Sequence, residues 1–225
     1  MQIAESLNYA ELANLQHDES ILTCAHSSGH IDLSLMSANT SVPIHSILAE
    51  RKSPRSLDES VKLSSDEITA LLEAARWAPS ANNLQPWRFF VGQRGDATFT
   101  NILESLRPFN QNWSKRASLL VLVAGVTKNE DGSDNNSYMY DCALAVSQLS
   151  FEAHSRGYVA HQMAGFEKDV AVQSLSIDSL LLPVVVVAIG KQAGAEQLDE
   201  ATAQRELAPR VRKPLEEIVL KGLPN

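Results

Sequence analysis

Two long apolar runs, at residues 118–124 and 182–190, constrain the fold of this chain more than any other feature. Such continuous runs of Leu, Val, Ile and Ala are typical of strands buried within a sheet. A third apolar segment, residues 138–156, is followed by Gly157, a good helix C-cap. As a helix it would carry apolar side chains around much of its circumference, so we expect it to be central and buried.

Shorter patterns fill the spaces between these three segments. We predict further strands at 87–92 and 158–162, helices near 43–50, 65–77, 97–106 and 167–175, and loops at 107–113 and 127–136. The alternation of strands with helices predicts a layered sheet with helices on its faces.

The chain has 225 residues, which favours one domain with a substantial core. No apolar run approaches the roughly 20 residues of a membrane helix. Residues 1–50 hold six acids and no Lys or Arg, whereas the other 175 residues hold 19 cations and 21 acids. Because no basic face is apparent, we expect no nucleic-acid or membrane partner; small positive clusters in a nearly neutral body instead suggest a small anionic ligand.

The N-terminal residues lie outside the pattern of strands and helices described above. Residues 1–43 lack the basic and apolar regions of a signal peptide, so we expect an extension that is either an arm or a leader, with Met36 as an alternative start. Cys24, His26 and His30 fit no standard zinc spacing and lack a fourth ligand, so we predict no metal site. The second cysteine, Cys142, is distant in sequence, and a reducing cytoplasm is the expected location.

The run from Arg51 to Arg55 (RKSPR) places three cations and a hydroxyl within five residues. Pro54 favours an extended backbone at Ser53, which lets side chains converge on one anion. A second cluster contains four cations within nine residues and is interrupted by Glu206; these are Arg205, Arg210, Arg212 and Lys213. Each cluster has an alternative interpretation as solvated surface.

A loop of small and amide side chains follows the helix at 65–77. Ser64 and Glu67 form a capping box before that helix, and Pro79 ends it. Residues 80–85 (SANNLQ) can both donate and accept hydrogen bonds, which suits a ligand with a mixed edge of carbonyls and ring nitrogens.

In order and spacing, four stretches resemble the nitroreductase family of FMN-dependent NAD(P)H oxidoreductases. They are residues 51–55 (RKSPR), 75–87 (ARWAPSANNLQPW), 165–167 (GFE) and 210–215 (RVRKPL). The resemblance implies an α+β, three-layer fold with a central mixed sheet, and a homodimer in which residues 44–225 form the FMN-binding domain.

The same resemblance implies a set of FMN contacts. One group would hold the phosphate and ribityl chain, a second would come from the partner subunit, and a third would lie beside the reactive edge of the ring. These groups are Arg51, Lys52, Ser53, Arg55, Arg210 and Arg212; then Pro79, Ser80, Ala81 and Asn83; then Met163, Ala164 and Gly165. Several relatives have a proline and a glutamate in this last segment, where the present chain reads Gln162-Met163-Ala164, so the part that the glutamate plays in orienting nicotinamide is in doubt here.

The implied activity is a ping-pong reaction in which NADH or NADPH reduces FMN at N5 and a nitroaromatic, quinone or similar acceptor is then reduced. The alternatives are another flavin chemistry, such as substrate dehydrogenation or flavin supply, and a non-enzymatic FMN-binding module. No side chain needs to act as a nucleophile, so no catalytic residue is named, and His154 and His161 are interpreted as structural or surface residues. Phe109 and Trp113 have two open interpretations: stacking on an aromatic substrate, or ordinary packing.

Overall fold

The structure, a computed structural model, describes residues 37–223. All the elements below belong to one compact unit, Ala38–Asn225. Almost all of the predicted N-terminal extension, including Cys24, His26, His30 and Met36, lies outside the described residues.

A four-stranded sheet forms the centre of the described unit. Its strands are β1 (Trp87–Gln93), β2 (Leu119–Val126), β3 (Val159–Met163) and β4 (Leu181–Gly190), in the order β1-β2-β4-β3. Every neighbouring pair is antiparallel, so the prediction of a mixed sheet is wrong for the described residues. The reason is that β4 inserts between β2 and β3, which run in the same direction but never pair with each other.

Eight helices surround the sheet in the described part of the chain. They are α1 (Ser46–Glu50), α2 (Ser65–Arg76), α3 (Ala97–Ser105), α4 (Pro108–Ser114), α5 (Tyr138–Ser155), α6 (Lys168–Ser174), α7 (Glu200–Leu207) and α8 (Leu215–Ile218), with short 3-10 turns at Ala81–Asn83 and Ala195–Gln197. None of the described helices is both long enough and apolar enough to cross a membrane.

Helix α4 occupies the segment that we predicted to be a loop, so that prediction is wrong. Pro108 is the first helical residue, where its missing N–H costs no hydrogen bond and its fixed φ suits the helix. The sequence between Pro108 and Trp113 is polar and rich in amides, which hides a helix from a search for apolar periodicity.

The sheet divides the core into two layers. Alternate residues of β2 point to opposite faces: Val121 and Val123 join the cluster under α2 and α5, whereas Leu120 and Leu122 join the cluster under α3, α4 and α6. All four side chains are fully buried, which explains why β2 is continuously apolar. With its helices, the sheet therefore forms the expected three layers.

Helix α5 is central, but only one side of it is buried within the described unit. Cys142, Ala145 and Leu149 face the sheet and are fully buried. Met139 and Tyr140, on the outer side of the helix, are 54% and 69% exposed. The apolar surface on that side is therefore not covered by any of the described residues.

Through Glu67, the N-terminus of α2 is linked to Tyr158, the residue that precedes β3. Its carboxylate accepts hydrogen bonds from the Ser64 N–H at 2.7 Å, the Ser64 hydroxyl at 2.8 Å and the Tyr158 hydroxyl at 2.5 Å. The Tyr158 hydroxyl, followed by the Ser64 groups, lowers the pKa of Glu67 to about 2. The capping box predicted from Ser64 and Glu67 is present, with an added partner from a distant segment.

We predict that Glu67→Gln reduces the loss of stability in acid. A carboxyl whose pKa is lowered on folding stabilises the protein above its unfolded pKa, about 4.5, and this contribution disappears as the pH falls towards 2. Urea midpoints measured from pH 7 to pH 2 should fall less steeply below pH 4.5 in the variant than in the wild type. Glu104→Gln, at an exposed position of α3, is the control; equal slopes for Glu67→Gln and wild type would contradict the prediction.

Candidate functional site

The basic run from Arg51 to Arg55 follows α1 and is held by its backbone from two sides. From the sheet, His161 Nδ1 lies 3.1 Å from the Pro54 carbonyl oxygen. From α7, the Glu206 carboxylate accepts the Arg55 N–H, with both of its oxygens at 3.0 Å, and the Ser56 N–H at 3.4 Å. Because backbone groups make these contacts, the side chains of Arg51, Lys52 and Arg55 are left to form a surface of their own.

That surface lines a cavity of about 180 Å³, which we call the basic cavity. The two clusters picked out in the sequence meet there, although more than 150 residues separate Arg55 from Arg210 along the chain. The described residues that line it are Arg51, Lys52, Ser53, Pro54, Arg55, Gln192, Arg205, Glu206, Ala208, Arg210 and Arg212. Six cations and one carboxylate therefore surround a space suited to a small anion.

The cations of the basic cavity destabilise one another's charge. Burial, followed by the charge of Arg212, lowers the pKa of Arg51. Burial, followed by the charges of Arg51 and Arg212, lowers the pKa of Arg210. For Lys52, burial and the Arg210 charge lower the pKa, while Glu206 acts in the opposite direction. An anion bound between these groups would relieve this repulsion.

Arg55 carries an unsatisfied donor at the edge of the cavity. Its Nε is buried and has no hydrogen-bond partner within the described residues. The guanidinium carbons of Arg55 and Arg205 lie 5.8 and 5.9 Å from the ring centroid of Phe109, which is half exposed. Buried donors are rarely left unpaired, so this group is a candidate to bind an acceptor on a ligand.

The two aromatic residues of α4 have different surroundings. Trp113 is buried in the core, and its ring packs against that of His161 at a centroid distance of 4.6 Å. Phe109 instead lies beside the cations described above. Of the two open interpretations, packing holds for Trp113, whereas Phe109 is positioned at the edge of the candidate site.

A second, larger cavity of about 440 Å³ shares Arg51 and Ser53 with the basic cavity. We call it the apolar cavity, because most of its wall comes from apolar side chains of α5 and β4. The other described residues that line it are Met139, Ala143, Val146, Ser147, Ser150, Phe151, Gln162, Val184 and Val185. Its polar part includes Gln162, whose amide donates to the Ser150 hydroxyl at 2.6 Å.

Residues 79–85, which we call the amide loop, are held by contacts within the loop and with α5, and they line neither cavity. The Ala81 N–H donates to the buried Asp141 carboxylate at 3.2 Å, and the Gln85 N–H donates to the Ser80 hydroxyl at 3.1 Å. Asn82 and Asn83 have φ angles of 49° and 57°, in the left-handed region that asparagine tolerates better than most residues. Pro79, Ser80, Ala81 and Asn83 are thus held together, but apart from the basic cluster.

The segment Met163, Ala164 and Gly165 begins at the last residue of β3 and packs under α4. Met163 is buried, and the Gly165 carbonyl accepts from the Arg107 N–H at 3.1 Å and the Asn110 side-chain amide at 3.0 Å. A Cβ added to Gly165 would lie 2.9 Å from Asn110 Nδ2. A side chain at this position would therefore displace the Asn110 amide; these three residues line neither cavity.

Sequence reasoning missed two residues of the site. His161 was interpreted only as structural or surface, and Glu206 only as an acid that interrupts a basic cluster. The position of Glu206 among arginines was the available signal, because an acid inside a basic cluster is well placed to organise it. No comparable signal identified His161.

We predict that His161 stays neutral well below pH 6. Burial, together with the charge of Arg55, lowers its pKa to about 4, although hydrogen bonds to the Pro54 and Ser53 backbone act in the opposite direction. The unfolded chain takes up the proton first, so stability is complete above about pH 6.5 and falls as the pH drops towards 4. NMR titration of the ring should give a midpoint near 4.

His161→Asn keeps a donor for the Pro54 carbonyl but cannot take up the proton. The variant should lose the part of the pH dependence of unfolding that lies between pH 6.5 and 4. His154→Asn, at the last turn of α5, is the matched control. A His161 ring that titrates near 6.5 would contradict the prediction.

Comparison with known proteins identifies the family of this chain. The family model described as the nitroreductase family matches residues 48–191. A crystal structure of an oxidoreductase containing FMN is 32% identical, with a TM-score of 0.78 over 83% of this chain and 95% of that chain. The CLA biosynthesis enone reductase of Lactiplantibacillus plantarum is 27% identical over 65% of this chain and 84% of its own.

A shorter match covers 41% of this chain and 43% of the oxygen-insensitive NADPH nitroreductase of Helicobacter acinonychis, with 33% identity. The family model spans more than half of the chain and includes the basic run, the amide loop and the whole sheet. The chain belongs to the nitroreductase family.

Proposed function

We propose that this protein is an FMN-dependent oxidoreductase that uses NADH or NADPH to reduce a small organic acceptor. The observation that carries the proposal is the basic cavity, where six cations from two distant segments face one space beside an apolar cavity. FMN has a matching division into a doubly charged phosphate and a flat ring with two apolar faces.

The residues of the basic cavity fit a phosphate. Its oxygens are strong acceptors, and Arg51, Arg55 and Arg212 offer fork-shaped donors, while Lys52 adds a point charge and Ser53 a hydroxyl. Arg210 completes the set from the second cluster. A phosphate oxygen would also give the buried Nε of Arg55 the hydrogen-bond acceptor that the described residues do not provide.

When bound, FMN supplies the two-electron chemistry between nicotinamide and acceptor. The protein's part is to bind and orient: the cations hold the anionic end, and the positive charge of Lys52 and Arg55 stabilises negative charge that develops nearby. The apolar wall formed by α5 and β4 gives the flat ring an apolar surface to pack against in the adjoining space. No side chain is required as a nucleophile.

We further propose that the site is completed by a second copy of the chain. The outer side of α5 exposes Met139 and Tyr140, and several apolar residues of the C-terminal segment are exposed as well, namely Leu207, Val211, Leu215, Ile218 and Leu220. Exposed apolar surface of this extent is typical of an interface. Pro79, Ser80, Ala81 and Asn83 are the residues that the second copy would contribute.

The proposed acceptors are nitroaromatic or quinone-like molecules. An α,β-unsaturated ketone is a second candidate, because the enone reductase of L. plantarum is similar over most of its length. A reducing cytoplasm, where NAD(P)H is available, is the proposed location.

We predict that the purified protein releases FMN on denaturation and loses its yellow colour when NADPH or NADH is added without oxygen. Arg212→Ala should weaken FMN binding about ten-fold or more, because a hydrogen bond to a charged group contributes roughly 1.5–3 kcal/mol. Fluorescence titration with FMN measures this. Lys213→Ala is the control, since Lys213 is the neighbouring cation and pairs with Glu217 instead of lining the cavity.

Three outcomes separate the candidate functions. A protein that binds no FMN contradicts the whole proposal. A yellow protein that nicotinamide does not bleach is an FMN-binding module without reductase activity. If bleaching occurs, reoxidation by a nitroaromatic, a quinone or an enone in an anaerobic panel identifies the acceptor class.

A mixed dimer tests the shared site. One chain carries Arg51→Ala and Arg212→Ala, the other Ser80→Ala and Asn83→Ala, and each is expected to bind FMN poorly by itself. Their heterodimer should regain one intact site, measured as one FMN per dimer. A homodimer of two chains that both carry Arg51→Ala and Arg212→Ala is the control. No recovery in a verified heterodimer, or a monomer that holds FMN by light scattering, refutes the shared site.

A further inference from the structure

We propose that Glu206 is a positioning residue: by binding the backbone of Arg55 and Ser56, it holds the two basic segments together around one anion. The inference rests on the proposed function, because the anion is taken to be the FMN phosphate. Glu206 would not touch the ligand as a donor, and its effect would pass through the arginines that it arranges.

The contacts of Glu206 are its first support. Its two carboxylate oxygens lie 3.0 Å from the Arg55 nitrogen, and one of them lies 3.4 Å from the Ser56 nitrogen. These hydrogen bonds connect positions about 150 residues apart. Ser56 is fully buried, and its hydroxyl donates to the Gly194 carbonyl, so the segment that Glu206 binds is itself anchored.

The placement of Glu206 in α7 is the second support. The residue before it, Arg205, lines the same cavity, and Arg210 and Arg212 follow within six residues. Fixing Glu206 therefore fixes the start of the segment that delivers three cations. Arg210 adds a second link, because its guanidinium donates to the Ala49 carbonyl at 2.5 Å, just before the basic run.

The charge balance is the third support. Glu206 is the only carboxylate among the described residues that line the cavity. The carboxylate binds backbone N–H groups and not the cationic side chains. Its negative charge therefore offsets the repulsion among the six cations and leaves their side chains directed at the cavity. A surface ion pair would have used one of those side chains instead.

If Glu206 acted only through its charge, a variant without that charge would be expected to bind phosphate more tightly. Removing a negative charge beside a phosphate site should strengthen phosphate binding, since like charges repel. If Glu206 positions the cluster, removing its charge should weaken binding in spite of the gain in positive potential. The sign of the change therefore distinguishes positioning from plain electrostatics.

The experiment compares Glu206→Gln with Glu200→Gln and the wild type. Glu200 lies on the same helix, and its replacement makes the same change in net charge, but it does not line the cavity. FMN and riboflavin are titrated by fluorescence; riboflavin has the same ring without the phosphate. We expect Glu206→Gln to weaken FMN binding about ten-fold, Glu200→Gln to change it less than about two-fold, and riboflavin binding to be unaffected by either.

Several results overturn the inference. FMN binding by Glu206→Gln that is unchanged or tighter excludes positioning. An equal loss for FMN and riboflavin indicates a general structural defect in place of an effect on the phosphate. If Glu206→Gln does not fold, Glu206→Asp keeps the charge on a shorter side chain and should still weaken FMN selectively; full affinity in that variant also overturns the inference. A wild type that binds no FMN refutes the proposed function itself.

Discussion

Mutual repulsion among the cations of the basic cavity is the constraint on which the rest of this site depends. Six positive side chains line about 180 Å³, and burial, followed by the charges of neighbouring cations, lowers the pKa values of Arg51, Lys52 and Arg210. Such a cluster of cations forms only if other contacts hold the backbone of the basic run in place against the repulsion between the side chains. Glu206 supplies one such contact and His161 a second, each of them to main-chain atoms between Pro54 and Ser56.

The sheet makes these contacts possible. Because β4 lies between β2 and β3, strand β3 is at the edge of the sheet, where His161 can reach Pro54. Burial keeps His161 neutral, so its ring adds no further charge beside Arg55. The packing of Trp113 against the same ring fixes its orientation, and the core beneath α4 thereby helps to place the basic run.

Local signals in the sequence predicted most of these elements, whereas features that depend on long-range contacts were not predicted. The bounds of α2, α5 and β4 are within two residues of expectation, because capping, apolar periodicity and a bounding glycine are all local. The two basic clusters were also recognisable, and the structure brings them to one cavity. Strand direction was mispredicted because it depends on which strands become neighbours. The contact between Glu206 and the backbone of the basic run was missed because it joins residues 150 positions apart.

The expected contact residues divide into groups that one chain does not bring to a common cavity. Arg51, Arg55 and Arg212 line the basic cavity, whereas residues 79–83 are held by Asp141 and line neither cavity. Two rigid groups that are apart in one subunit can act on one ligand only if a second subunit supplies one of them. The exposed apolar side of α5 lies next to this loop in the structure, because Asp141 belongs to the first turn of that helix. Pairing through α5 would therefore bury the unpartnered surface and present the amide loop to the other chain in the same step.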